Sequence, residues 1–202
     1  MTIRILLADD QALVRGALSA LLDLEPDLEV VGEVGTGDAV LGAVAEHRPD
    51  VALLDVEMPG LDGISAAALV RDAFPDVRVL IVTTFGRPGF LRRALQAGAS
   101  GFVVKDTPAA ELADAVRRVH AGLRVVDPAL ATDSLIAGES PLTVRETEVL
   151  QAAQDGSSVA AIAAKLFLSE GTVRNHLSAA IGKTGAGNRS EAVLTANNNG
   201  WL

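Results

Sequence analysis

Five short apolar runs punctuate the first half of the chain: Arg4-Ile-Leu-Leu-Ala8, Leu28-Glu-Val-Val31, Val51-Ala-Leu-Leu54, Val77-Arg-Val-Leu-Ile-Val82 and Gly101-Phe-Val-Val104. Most are nearly continuous Val, Ile and Leu, the pattern of parallel strands covered on both faces. Between them, stretches near 12–22, 38–47, 63–74, 88–97 and 108–121 repeat apolar residues at helical spacing. This alternation predicts a doubly wound α/β domain with a five-stranded parallel sheet. Such sheets bind ligands beyond the carboxyl ends of their strands, so chemistry is expected where each run stops.

After Gly122 the periodicity fades through LRVVDPALATDSLIAGESP, which reads as a linker with a short helix near Pro128 to Ile136. An all-α domain opens at Thr143, where Thr143-Val-Arg-Glu146 is a capping box ahead of a helix to about Gln154. Helices near 158–166 and 170–183, joined by the tight Phe167-Leu168-Ser169 link, and a fourth from near Ser190 complete a helix-turn-helix bundle. The expected division is therefore 1–122, a linker at 123–139, and 140–202. Gly32-Glu-Val-Gly35-Thr-Gly37 lacks the spacing of a dinucleotide loop and is read as turn glycines.

Charge divides along the same line. The net charge of −9 argues against nucleic acid until it is split: residues 1–124 hold 18 acids and 12 bases, whereas residues 140–202 hold five of each. From Lys165 to Arg189 there are four bases (Lys165, Arg174, Lys183, Arg189) against the single acid Glu170. Local charge sets the potential that a phosphate backbone meets, so the tail remains a candidate for DNA. The chain has no cysteine, which excludes disulfides and thiolate chemistry. No run is long enough to span a bilayer, and MTIRILLADD has neither a basic n-region nor a cleavage pattern, so a cytoplasmic protein without membrane insertion is expected.

Asp9 and Asp10 end the first apolar run, Asp55 the third and Thr83 the fourth, and Lys105 follows the fifth. Carboxylates brought together from separate strands repel one another and need a cation, and oxygen ligands of this kind suit Mg²⁺. In that setting Asp55 can act as the nucleophile that forms an acyl phosphate, with Lys105 and Thr83 offering an ammonium and a hydroxyl to the phosphoryl oxygens.

Over roughly residues 3–122 the chain resembles the receiver domains of two-component response regulators, which share a flavodoxin-like sheet. The matching pieces are Asp9-Asp10, Asp55-Val-Glu-Met-Pro-Gly60, Asp62-Gly63, Thr83 and Gly101-Phe-Val-Val-Lys105. The resemblance implies that Asp55 accepts phosphate from a sensor histidine kinase. It further implies that Asp10 and Asp55 ligate Mg²⁺ with Asp9 assisting, that the backbone carbonyl of Glu57 is a further ligand, and that Thr83 and Phe102 form a switch pair. The chain departs from many receivers at Asp106, where proline is common, and at Thr84, where a smaller residue is common.

In the helix from Glu170, Val173, Leu177 and Ile181 form an apolar stripe, and Gly171, Arg174, Asn175 and Ser178 fall on the opposite side. Leu142-Thr-Val-Arg-Glu-Thr-Glu-Val-Leu150, Ile162-Ala163, Leu168-Ser169, Gly171-Thr-Val-Arg-Asn-His176 and Lys183 resemble the LuxR-type helix-turn-helix. Joined to a receiver, this is similar to the NarL/FixJ family, and Thr83-Thr-Phe-Gly-Arg-Pro-Gly89 resembles its DesR type. The resemblance implies that Arg174, Asn175 and Ser178 face bases or nearby phosphates of double-stranded DNA, that Lys183 contacts the backbone, and that His176 does likewise or packs. It also implies a phosphorylation-dependent homodimer that regulates transcription and is not an enzyme. Two other readings stay open: an aspartyl-phosphate hydrolase or phosphotransferase, and a transcription factor independent of phosphorylation.

Overall fold

Every predicted apolar run forms a strand in the computed structural model, which describes residues 2–84, 86, 88–136 and 140–202. The chain divides into two compact units that separate after Ala131.

In the first unit β1 (Ile3–Ala8), β2 (Leu28–Val34), β3 (Val51–Leu54), β4 (Arg78–Thr83) and β5 (Gly101–Val104) alternate with α1 (Ala12–Leu22), α2 (Gly37–His47), α3 (Gly63–Ala73), α4 (Pro88–Gln96) and α5 (Ala109–His120). All strand pairs are parallel, in the order β2-β1-β3-β4-β5. The order reverses between β1 and β3, which is where a doubly wound sheet opens a crevice. Alternate side chains of the central strands serve opposite faces. Leu6, Leu54, Ile81 and Phe102 pack toward α2, α3 and α4, and Ile5, Leu53, Leu80 and Val82 pack toward α1 and α5. Burial on both faces explains why these strands lack a polar alternation.

Two details depart from the sequence reading. A sixth strand, β6 (Val125–Val126), extends the sheet beyond β5, pairing Gly101 with Val125 and Phe102 with Val126. It comes from the stretch expected to be a linker, and two residues carry no readable period. Strand β2 also runs three residues past Val31, so Gly32 is a strand residue and not a turn glycine. A Cβ on Gly32 would sit 2.5 Å from the His47 ring, so the absent side chain makes room for α2.

The short helix near the linker is present as α6 (Pro128–Ile136). The second unit contains α7 (Val144–Gln151), α8 (Val159–Leu166), α9 (Glu170–Thr184) and α10 (Arg189–Asn198). Their N-caps, Thr143, Ser158, Ser169 and Asn188, each accept a backbone N–H three residues on. Thr143 and Glu146 form the full capping box. Helix α7 stops three residues before Gln154, in a turn that leads to Gly156 at positive φ. Val149, Leu150, Ile162, Val173 and Ala180 form the buried centre of this unit. Among the described residues, no helix is long and apolar enough to cross a membrane.

Candidate functional site

Register brings the acidic residues together. Ala8 and Leu54 are paired across β1 and β3, and the Asp55 N–H donates to the Ala8 carbonyl at 2.8 Å. The residues that follow, Asp9 and Asp55, therefore emerge side by side at the crevice. Thr83 ends β4 level with Val104, and the Lys105 N–H donates to the Thr83 carbonyl at 2.8 Å. All five predicted residues thus stand at one edge of the sheet.

Asp9, Asp10 and Asp55 each offer a carboxylate oxygen within 4.8 Å of the others. Asp9 and Asp55 are buried, both 3% exposed, and Asp10 faces solvent. The Lys105 ammonium lies 2.7 Å from Asp9 Oδ2 and 2.8 Å from Asp55 Oδ2. Asp9 Oδ1 accepts the Gln11 N–H at 2.9 Å. Asp55 Oδ1 is buried without a hydrogen-bond partner among the described residues.

Burial raises the Asp55 carboxyl above the usual aspartate range, and the Asp9 charge pushes the same way, while Lys105 opposes both without cancelling them. Burial acts to lower the Lys105 ammonium, but its bonds to Asp55 and Asp9 outweigh this and hold it above 10.5. One ammonium against three carboxylates leaves the cluster short of positive charge. A hard divalent cation with oxygen ligands fits this deficit, and Asp55 Oδ1 is a buried acceptor with no hydrogen-bond partner among the described residues. The acidic cluster is thus able to bind a metal ion.

Thr83 is 1% exposed and Phe102 fully buried. Because Phe102 pairs with Ile81, strand alternation puts Thr83, Ile81 and Phe102 on the same face of the sheet. Glu57 is exposed in the loop after Asp55. Asp62, in the matched motif, caps α3 by accepting the Ile64 and Ser65 N–H groups at 3.0 and 2.9 Å. The motif from Thr83 to Gly89 includes Phe85 and Arg87, which lie outside the described residues. Arg15 gave no signal in the sequence, yet its Nη1 donates to the Asp9 carbonyl at 2.5 Å and its Nε faces Glu33 at 3.3 Å. It ties α1 to the acidic loop.

In the second unit α9 buries Val173, Leu177 and Ala180 and exposes Arg174, Asn175 and Ser178. His176 is half-buried. Arg174 pairs with Glu170 one turn earlier at 2.7 Å, an exposed pair worth little and easily exchanged for another anion. Lys183 does not stand apart: its ammonium lies 2.8 Å from Glu146 Oε2. Glu146 is only 5% exposed and also accepts the Thr143 N–H at 2.7 Å. Its carboxyl lies below 4.5, because the Lys183 and Thr143 bonds overcome the burial that would raise it.

A parallel sheet with an acidic edge, followed by a helix-turn-helix bundle, is the plan of a response regulator that binds DNA. Residues 5–117 match the response regulator receiver domain, and residues 140–196 match the bacterial regulatory proteins of the luxR family. The chain is 43% identical over 200 residues to the transcriptional regulatory protein DesR of Bacillus subtilis (strain 168), covering 99% of each. It is 38% identical over 203 residues to the probable transcriptional regulatory protein NarL of Mycobacterium tuberculosis (strain ATCC 25618 / H37Rv), covering 96% of this chain and 93% of that one. Its fold is similar to the crystal structure of the response regulator ChrA of a heme-sensing two-component system, with TM-score 0.59, 35% identity, and coverage of 100% of this chain and 99% of that one. The chain belongs to the NarL/FixJ family of two-component response regulators, and it is a transcriptional regulator with a LuxR-type DNA-binding domain.

Proposed function

We propose that Asp55 is the phosphoacceptor through which this regulator is switched. An Asp55 carboxylate oxygen attacks the phosphorus of a sensor histidine kinase's phosphohistidine, the P–N bond breaks, and the imidazole leaves with its electron pair while an acyl phosphate forms. Lys105, already beside Asp55 Oδ2, moves its charge onto the new phosphoryl oxygens, and the Thr83 hydroxyl donates to one of them. Asp10, Asp55 and the Glu57 carbonyl, with Asp9 assisting, would hold Mg²⁺, which supplies charge neutralisation for the entering phosphoryl group. The observation that carries this reading is the convergence of Asp9, Asp10 and Asp55 around a buried and unpartnered Asp55 Oδ1.

The proposed receiver spans 1–122 and the proposed reader 140–202, joined through 123–139, of which β6 extends the receiver sheet. Acyl-phosphate formation draws Thr83 toward the phosphoryl group and Phe102 into the space it leaves. This favours a cytoplasmic homodimer that sets two α9 helices on paired half-sites of double-stranded DNA. Arg174, Asn175, Ser178 and His176 face bases or nearby phosphates. Lys183 has three donors and so reaches a phosphate while keeping Glu146. The protein takes up phosphate once per chain and turns over no substrate.

Intact-mass measurement after incubation with acetyl phosphate and Mg²⁺ tests this. The wild type is expected to gain one phosphoryl group, and Asp55→Asn none. Equal uptake by both proteins rules out the assignment, and sustained hydrolysis of a phosphomonoester favours a phosphohydrolase instead.

A further inference from the structure

The link between α8 and α9 holds an aromatic residue in a conformation and a location that the fold itself does not need. Phe167 lies in the left-handed region, at φ 55° and ψ 43°, and is 95% exposed. Its N–H donates to Ala164 and the Leu168 N–H donates to Ala163, the paired bonds of a Schellman helix ending. Leu166 and Leu168 both pack on the buried centre of this unit, so the residue between them is forced to point outward. Glycine is the usual occupant of that position, because a Cβ there crowds the following carbonyl.

This chain follows that habit elsewhere, with Gly98, Gly122, Gly185 and Gly200 at positive φ. Arg48 is the other described residue without glycine's freedom at such an angle, and its exposed side chain is at ease in water. Phe167 is not: its side chain stands almost wholly in solvent while its backbone takes a conformation that a Cβ disfavours. A residue held against local preference at an exposed turn points to a partner outside the chain.

We propose that Phe167 is a DNA-contact residue, its ring seated against deoxyribose and thymine methyl groups at the rim of the groove that α9 enters. The inference rests on the reading of α9 as the DNA-reading helix. The neighbours of Phe167 along the chain favour a nucleic acid over a protein partner. Lys165 precedes it, and Ser169, Glu170, Gly171 and Arg174 follow, all exposed and small, polar or charged, with the one acid, Glu170, already held by Arg174 at 2.7 Å. They add no apolar area that would make a protein-docking patch, whereas an apolar ring among polar and basic groups suits a groove floored by methyls and walled by phosphates.

The test uses full-length wild type, Phe167→Gly, Phe167→Tyr and Arg174→Ala, each first treated with acetyl phosphate and Mg²⁺ and shown by intact mass to carry the phosphoryl group, with duplexes that the treated wild type selects from a random-sequence pool. Glycine keeps the turn without strain, so Phe167→Gly is expected to melt at or above the wild-type temperature. Its DNA affinity is expected to fall roughly tenfold. The slope of log affinity against log salt is expected to stay unchanged, because the ring neutralises no phosphate. Phe167→Tyr keeps wild-type affinity and Arg174→Ala weakens binding. Wild-type affinity in Phe167→Gly beside weakened Arg174→Ala overturns the contact and leaves the reader intact. Loss of self-association without loss of DNA affinity overturns it in favour of a second copy of the chain. A lower melting temperature with lower affinity makes Phe167 structural and also overturns it. Should the wild type select no duplex, the reading of α9 itself fails and the inference falls with it.

Discussion

Lys105 holds two buried carboxylates at once, 2.7 Å from Asp9 and 2.8 Å from Asp55. Replacing it with alanine leaves two anions where water reaches poorly, and the cost of an uncompensated buried charge is a few kcal/mol. Lys105→Ala is therefore expected to lose about 3 kcal/mol in chemical denaturation without divalent ions. Millimolar Mg²⁺ is expected to restore part of that loss, and a variant as stable as the wild type would contradict a neutralising role for the Lys105 ammonium. Asp10 separates metal binding from folding, because it faces solvent. Asp10→Ala is expected to fold and melt like the wild type in EDTA but to lack the rise in melting temperature that Mg²⁺ gives a protein that binds it. The five residues of the acidic edge were legible in the sequence because each ends an apolar run, and strand pairing then fixes where it emerges. Arg15 was not, since a side chain that bonds a backbone carbonyl six residues away leaves no pattern.

At the level of elements, the Glu146–Lys183 pair joins the first turn of α7 to the last turn of α9. Glu146 titrates below 4.5 in the folded chain, so its contribution is present above that value and fades as pH falls through the lowered one. Lys183→Ala is expected to cost about 1 kcal/mol of stability near neutral pH. The difference from wild type is expected to shrink in acid, when Glu146 is protonated in both proteins, and a gap that stays constant down to strong acid would contradict the pairing. Asp62→Ala removes the cap of α3 and is expected to cost about 1 kcal/mol, read from the same denaturation curves.

The capping box at Thr143 was readable because Glu146 lies three residues on, within one turn. Its Lys183 partner was not, since the partner depends on how two helices cross. In the sequence Lys183 therefore read as a DNA contact alone. Strand β6 escaped notice for a related reason: Val125 and Val126 become a strand only because β5 offers an open edge.

For the whole molecule, the claim is that chemistry at the edge of one unit governs DNA binding by the other. The most direct measurement is the DNA affinity of the full chain before and after treatment with acetyl phosphate and Mg²⁺, with Asp55→Asn carried in parallel. The wild type is expected to bind at least roughly tenfold more tightly after treatment, a coupling within the usual range for two linked sites, and Asp55→Asn is expected to bind the same before and after. An equal gain in both proteins, or no gain in a wild type shown to be phosphorylated, would contradict the account.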